Sequence, residues 1–91
     1  MAKISVIVPA YNAKTTLRTA VESILSQQVP ELEIIIVNDG STDGTDRLCH
    51  ALASECPCIH VITQKNAGIC ASRNRGMEGA SGEYITFCDD D

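Results

Sequence analysis

The 91-residue sequence has no run of roughly 18 apolar residues, the length that a membrane-spanning helix needs. Its first apolar run, residues 4–8, is too short for the core of a signal peptide, and Pro9 follows it directly. We therefore expect a soluble protein that stays in the cytoplasm. Whether later segments of a longer parent protein attach it to the cytoplasmic face of the membrane is left open.

A basic surface is also absent. The sequence has 7 Lys and Arg residues against 12 Asp and Glu residues, which gives a net charge of −5. An acidic chain of this kind repels both the phosphate backbone of nucleic acids and anionic lipid head groups. We therefore expect no nucleic acid among its partners.

The sequence lacks a zinc-binding pattern. Cys56 and Cys58 are separated by one residue instead of the usual two, and no second Cys or His pair lies at a zinc-like distance. An odd number of cysteines, 5 in all, is typical of reduced thiols in a cytosolic protein. We predict free thiols and no structural zinc.

Glycine-rich phosphate-binding loops are missing too. Neither G-x-G-x-x-G nor G-x-x-x-x-G-K-[ST] occurs, and the first apolar run leads into Pro9-Ala10-Tyr11-Asn12. A dinucleotide-dependent dehydrogenase is therefore not expected. If a diphosphate binds, a group other than a glycine-rich loop must neutralise its charge.

Four short runs rich in Ile and Val are present, at residues 4–8, 32–37, 59–62 and 84–88. Their lack of polar alternation is typical of strands covered on both faces, as in a parallel sheet. Apolar residues at helical spacing predict a helix over residues 13–28, and two more are predicted from Thr42 or Asp43 and over residues 68–78. We predict a Rossmann-like βαβαβαβ α/β fold with a parallel sheet, as one small domain.

Ligands of open α/β sheets bind beyond the carboxyl ends of the strands. If the first and fourth strands are neighbours, Tyr11 and Asp39 converge there with the three acids that follow the last strand, Asp89, Asp90 and Asp91. Adjacent carboxylates repel one another unless a cation relieves them, and hard oxygen ligands suit Mg²⁺ or Mn²⁺. A solvated acidic run is the alternative, but such runs normally lie on helices or tails.

Single residues leave alternatives open. Tyr11 either stacks on a base or covers the sheet edge, and Asp39 either accepts bonds from a base or ribose or shapes a turn. One of Arg73 and Arg75 is expected to reach a phosphate, while the other is an exposed helix residue.

Four motifs together resemble the N-terminal half of a family 2, GT-A-type glycosyltransferase. They are Val8-Pro9-Ala10-Tyr11-Asn12, the segment from Val37-Asn38-Asp39-Gly40 to Thr45, Asn66-Ala67-Gly68 with Ala71-Ser72-Arg73-Asn74-Arg75-Gly76, and the segment from Gly82-Glu83-Tyr84 to Asp91. They follow the family's order and spacing over nearly the whole chain. The resemblance implies that residues 1–91 are the nucleotide-sugar-binding portion of such a domain, truncated after its D-x-D motif.

The resemblance also implies residue roles. The donor would be a nucleotide sugar, commonly a UDP-sugar, with Pro9 and Tyr11 bordering the base, Asp39 bonding it, and Arg73 near the base and phosphates. Asp89 matches the first acid of D-x-D, facing ribose or metal, and Asp91 the second, the usual metal ligand. Because Asp90 is also acidic, either Asp90 or Asp91 could hold the Mn²⁺ or Mg²⁺.

Members of this type resemble inverting enzymes, in which the metal stabilises the departing nucleoside diphosphate and a general base takes the proton of an acceptor hydroxyl. The acceptor would be a saccharide or lipid-linked compound. The base and the acceptor region belong to the family's second half, so no catalytic residue is expected among residues 1–91.

Two other classes were considered. A non-catalytic, receiver-like nucleotide or metal module needs paired acids near strand one and an Asp ending strand three, where this chain has Pro-Ala-Tyr-Asn and Ile62-Thr63-Gln64-Lys65. A nucleotidyltransferase needs a glycine-rich first loop with a basic residue. Both patterns are missing, so the glycosyltransferase interpretation is favoured.

Overall fold

The computed structural model describes residues 4–88, which form alternating strands and helices. Strands are β1 (Ile4–Ala10), β2 (Leu32–Asp39), β3 (Ile59–Gln64) and β4 (Tyr84–Phe87); helices are α1 (Leu17–Ser26), α2 (Thr45–Glu55) and α3 (Ile69–Gly79). The sheet order is β3-β2-β1-β4, and every neighbouring pair is parallel. The predicted βαβαβαβ fold is therefore confirmed, including the pairing of the first strand with the fourth.

Side chains of the central strands alternate between two core clusters, one on each face of the sheet. Val6 and Val8 of β1 pack on one face with Leu17 and Val21 of α1, together with Cys49 and Leu52 of α2. Ile7, Ile35 and Val37 face the other side. Since both faces of β1 and β2 are apolar, their sequences show no polar alternation.

Two helices begin later than predicted. α1 starts at Leu17, because residues 13–16 form a turn in which Ala13 O accepts hydrogen bonds from the backbone N–H groups of Thr16 and Leu17. α2 starts at Thr45, after Gly44, whose φ of 98° is left-handed. Asp43 still caps this helix from one position further out, because its Oδ1 accepts from Thr45 N at 3.0 Å.

The expectation of two-sided coverage is wrong for β4. All four of its residues are exposed, Tyr84 at 62%. β4 is an edge strand, and among the described residues it has a neighbouring strand on one side only. Its apolar side chains are therefore not buried within residues 4–88. Within residues 4–88, no helix is long and apolar enough to cross a membrane.

Glu33 is a buried carboxylate near the amino ends of the strands. Its Oε2 accepts hydrogen bonds from Ser5 Oγ at 2.6 Å and from Ser81 N at 3.0 Å. Burial opposes ionisation of Glu33, but these bonds outweigh burial and hold its pKa below the ordinary value. Gly82 N donates to Ser5 Oγ at 2.9 Å, so the network ties the segment that leads into β4 to the sheet.

Helix α3 packs closely against the sheet at Gly76. A Cβ on Gly76 would overlap Cγ2 of the fully buried Ile7 and come within 3.3 Å of Val37 Cγ2. Only a residue without a side chain allows the helix to lie this near the strands.

We expect Gly76→Ala to lower the free energy of unfolding by about 1–3 kcal/mol, because the added methyl group must displace packed core atoms. Gly79→Ala is the matched control: its Cβ would meet only Ile62 Cδ1, at 3.0 Å, the far end of a partly buried side chain. Urea unfolding of the two variants measures the difference. Equal stabilities would contradict the close packing at Gly76.

Candidate functional site

A cleft of about 300 Å³ opens at the carboxyl edge of the sheet. It lies beyond the ends of β1 and β2 and beside the start of α3, where an open parallel sheet is expected to bind its ligand. Its lining residues are Pro9, Ala10, Tyr11, Asp39, Asn66, Gly68, Ile69 and Ser72. Three of the residues predicted for donor binding, Pro9, Tyr11 and Asp39, are thus brought together.

Tyr11 lies on the β1–α1 loop, and its side chain is 52% exposed. The next residue anchors that loop to the loop that follows β2. Asn12 N donates to Ser41 Oγ at 3.0 Å, and Asn12 Oδ1 accepts from Thr42 N at 2.8 Å. Asn12 has a φ of 49°, a left-handed conformation that asparagine adopts more readily than most residues.

The same two loops are joined by a second pair of bonds. Ala13 N donates to Thr45 Oγ1 at 2.9 Å, and Lys14 N donates to Asp43 Oδ2 at 3.2 Å. Thr45 Oγ1 also bonds Asp43 Oδ1. Thr45 is fully buried, whereas Asp43 remains at the surface. The Ser41-to-Thr45 part of the second motif therefore holds the loop that carries Tyr11.

Asp39 closes β2 at the cleft, with only 4% of its surface exposed. Its Oδ1 accepts from Ala67 N at 2.8 Å and from Gln64 Nε2 at 2.9 Å, and its Oδ2 accepts from Gly68 N at 3.0 Å. Burial opposes ionisation, but the donors together outweigh it and hold the pKa of Asp39 below its usual value. Asp39 is therefore ionised near neutral pH.

The β3–α3 loop lies directly on the β2–α2 turn. Asn66 Nδ2 donates to the backbone O of Asp39 at 3.1 Å. A Cβ on Gly40, whose φ is 71°, would come within 2.6 Å of Asn66 N. Gly40 therefore serves both a left-handed backbone conformation and the close approach of the two loops.

Arg73 and Arg75 separate as expected for neighbours on a helix. Arg73 is partly buried, and its guanidinium carbon lies 5.5 Å from the centre of the Phe87 ring, between α3 and the end of β4. Arg73 does not line the cleft. Arg75 is exposed and pairs with Glu78 at 3.8 Å.

The three acids Asp89, Asp90 and Asp91 lie outside the described residues. Cys88, which precedes them, donates from its backbone N to Ile7 O at 2.9 Å and so lies beside β1. Among residues 4–88, no three Asp, Glu, His or Cys side chains gather in a cluster that could hold a metal ion.

A second groove, of about 330 Å³, runs between α1 and β4. Its lining residues are Ile4, Val6, Ile24, Gln27, Val29, Leu32, Thr86, Phe87 and Cys88. None of them carries a carboxylate, guanidinium or ammonium group. It offers nothing that would orient a diphosphate or a metal, so the carboxyl-edge cleft is the candidate site.

Sequence reasoning assigned no site role to six residues here: Ala10, Asn66, Gly68, Ile69 and Ser72 line the cleft, and Gln64 bonds Asp39. Gln64 was missed because the third strand was predicted to end at Ile62. The strand continues to Gln64, which pairs in register with Asp39. Ser72 is buried, donating from Oγ to Gly68 O at 3.0 Å, although it stands inside a segment recognised as a motif.

The family model of Glycosyl transferase family 2 matches residues 5–91. The chain belongs to this family. It is 46% identical over 89 residues to the uncharacterized glycosyltransferase YibD of Escherichia coli K12, a match that covers 98% of this chain and 26% of YibD. Across eight curated relatives, the chain spans between 13% and 35% of their length.

Solved structures confirm the GT-A fold. Residues 1–349 of Staphylococcus aureus TarS in complex with UDP-GlcNAc superpose with a TM-score of 0.89 and 32% identity, over 98% of this chain and 26% of that one. The mannosyltransferase PcManGT of Pyrobaculum calidifontis, in complex with GDP-Man and Mn²⁺, gives a TM-score of 0.91 at 28% identity, over 98% and 27%.

We expect Asp39→Asn to lower the free energy of unfolding at neutral pH by about 1–3 kcal/mol, because one backbone donor of the loop loses its acceptor. Since the pKa of Asp39 is depressed on folding, its contribution is present above the unfolded value of about 4 and is lost as the pH falls through the folded value. The gap between wild type and variant should therefore shrink in acid.

Urea unfolding across a pH series measures this gap. Glu78→Gln makes the same carboxylate-to-amide change at an exposed helix position and should stay within about 0.5 kcal/mol of wild type. A gap that stays constant down to the most acidic pH would show that Asp39 is not stabilised as a carboxylate.

Proposed function

We propose that this chain is the donor-binding portion of a metal-dependent, inverting glycosyltransferase that transfers a sugar from a UDP-sugar to an acceptor hydroxyl. The observation that supports this most directly is the carboxyl-edge cleft, whose lining includes an exposed tyrosine and a buried, ionised carboxylate. The acceptor proposed is a saccharide or a lipid-linked compound, and the parent would act in the cytoplasm or at the cytoplasmic face of the membrane.

The base of the donor would lie between Tyr11 and the start of α3. The exposed ring of Tyr11 offers a stacking surface, and Ile69, which is 51% exposed, adds an apolar contact at the same cleft. Stacking of this kind does not discriminate strongly among bases. Asp39 adds discrimination, because an ionised carboxylate accepts a hydrogen bond from a base N–H but repels a base acceptor.

Asp39 has two proposed roles in donor binding: it bonds the base or ribose, and it holds the loop beside the cleft. Three donors of the chain already bond its carboxylate. Each carboxylate oxygen has two lone pairs, and Gly68 N donates to one of those of Oδ2. A base or ribose donor would take a remaining acceptor direction of the carboxylate. The bonds to Ala67 and Gly68 meanwhile hold the loop that forms the far wall of the cleft.

The diphosphate needs a cation because the site is acidic. Asp89 with Asp91, or with Asp90 in place of Asp91, would hold Mn²⁺ or Mg²⁺; a carboxylate set of this kind fits either ion. Bound there, the ion would offset the charge of the departing nucleoside diphosphate. Arg73 is the basic side chain of α3 nearest the end of β4 and would lie toward the phosphates.

UDP in the presence of Mn²⁺ should stabilise the chain by about 2.7 kcal/mol at a concentration of about 100 times its dissociation constant. Tyr11→Ala should weaken binding by about 1–3 kcal/mol, the value typical of base–aromatic stacking. Thermal unfolding and calorimetry measure both. Tyr84→Ala is the matched control, because Tyr84 is also an exposed tyrosine but lies at the amino end of β4, away from the cleft.

The same assay resolves the metal ligands. Asp89→Asn, Asp90→Asn and Asp91→Asn are compared for the increment that Mn²⁺ adds to UDP binding. The increment should vanish in Asp89→Asn and in one of the other two variants, and the remaining variant should resemble wild type. The proposed site would be refuted if the stabilisation by UDP is the same with and without Mn²⁺, or if NAD stabilises the chain as much as UDP does.

We expect no sugar transfer by residues 1–91 alone, because Asp39, the only carboxylate that lines the cleft among the described residues, is proposed to bind the donor, and the chain spans 26% of the length of its relative YibD. A radiolabelled UDP-sugar assay with a panel of saccharide and lipid acceptors tests this. Turnover by the 91-residue chain would overturn the assignment of the base to another segment.

A further inference from the structure

Two thiols face each other across Pro57, in the connection between α2 and β3. The Sγ atoms of Cys56 and Cys58 are 3.1 Å apart. Both side chains are partly buried and pack against the core cluster on the α1–α2 face of the sheet. A disulfide bond is about 2.05 Å long, so the two atoms are already within about 1.1 Å of bonding distance.

The backbone holds this pair in place. Cys56 N donates to Leu52 O at 3.2 Å, which continues the hydrogen bonding of α2, and Cys56 O accepts from Ile59 N at 3.1 Å. Cys58 O accepts from Ile34 N at 2.9 Å and so joins the turn to β2. Proline at the second position of such a turn restricts its φ. The thiols are thus brought close together by the fold.

We propose that Cys56 and Cys58 form a reversible dithiol–disulfide site that exchanges with low-molecular-weight disulfides such as glutathione disulfide. The thiolate of one cysteine attacks a sulfur of glutathione disulfide and releases one glutathione thiolate, which leaves a mixed disulfide. The second cysteine, as its thiolate, then attacks the protein sulfur of that mixed disulfide and releases the other glutathione. Two protein thiols are oxidised and one glutathione disulfide is reduced, and the two protons lost by the protein thiols are taken up, through solvent, by the two glutathione thiolates.

Cys49 and Cys70 lack the features on which this depends. Cys49 is fully buried, so a disulfide in solution does not reach its sulfur, and no sulfur–sulfur contact joins it to another cysteine of residues 4–88. Cys70 is exposed on α3, and no sulfur–sulfur contact joins it to another cysteine of the described segment. Cys70 would therefore stop at the mixed disulfide with glutathione.

The reaction should accelerate as the pH rises. Burial and the neighbouring Cys56 raise the pKa of Cys58 to about 11, and exchange requires thiolates. The site lies at the amino end of β3, whereas the cleft opens at the carboxyl ends of the strands. Oxidation would therefore leave the cleft intact and restrain the connection between α2 and the edge strand β3.

Peptide mapping tests the proposal on the purified chain. After incubation with glutathione disulfide, acid quenching and alkylation in denaturant, cleavage at Glu55 and Lys65 yields a peptide of residues 56–65 that contains only these two cysteines. We expect this peptide to carry no alkyl group and to be lighter than the reduced peptide by two hydrogen atoms. Reduction with a dithiol should restore both alkylation sites.

Cys70, in the tryptic peptide of residues 66–73, reports within the same sample that the oxidant is active. Cys70→Ser should leave the oxidation of residues 56–65 unchanged, whereas in Cys56→Ser the remaining Cys58 should be found alkylated or glutathionylated. If Cys70 is glutathionylated while Cys56 and Cys58 are both alkylated or each carry glutathione, the proposal is wrong. Disulfides that join two chains through either cysteine would contradict it equally.

Discussion

The carboxylate of Asp39 is the point on which the carboxyl edge of this fold depends. Asp39 ends β2, and its carboxylate accepts a hydrogen bond from the side chain of Gln64 in β3. It also accepts hydrogen bonds from the backbone N–H groups of Ala67 and Gly68, just before α3 begins. A buried charge is unfavourable unless donors surround it, and here the chain supplies three. These donors belong to β3 and to the loop between β3 and α3. The ionised side chain of Asp39 therefore ties both segments to the end of β2.

Close backbone approach is the second condition for the cleft. Gly40 allows the β3–α3 loop to lie on the turn after β2, and Gly76 allows α3 to lie on Ile7. On the opposite side of the cleft, Asn12 is hydrogen-bonded to Ser41 and Thr42. The walls of the cleft are therefore held by close backbone approach and by side-chain-to-backbone hydrogen bonds. Tyr11 and Ile69 add exposed apolar surface to the same cleft.

Charge is the physical basis of the proposed partner ion. The chain carries a net charge of −5, and within residues 4–88 the cleft is lined by an ionised aspartate and by no Lys or Arg side chain. A diphosphate bound there would be repelled unless a positive charge accompanied it. The sequence has no glycine-rich phosphate loop. In the proposed arrangement, a metal ion held by the acids that follow β4 in sequence, together with Arg73, which lies over Phe87, would take the place of backbone amides.

The order of strands and helices was readable from the sequence alone, because apolar periodicity is a local property and parallel crossovers allow few topologies. The sequence also determined the family, since four motifs stand at its spacing, and the model of that family matches residues 5–91. Tyr11, Pro9 and Asp39 were found for the same reason: each stands at or just beyond the end of an apolar run. Only the tertiary structure decided that Asp39 holds Ala67, 28 positions away, and that Ser41 and Thr42 hold Asn12. Those contacts depend on the pairing and register of strands that are distant in sequence, as do the exposure of β4 and the place of Gln64 beside Asp39, and no local pattern encodes them.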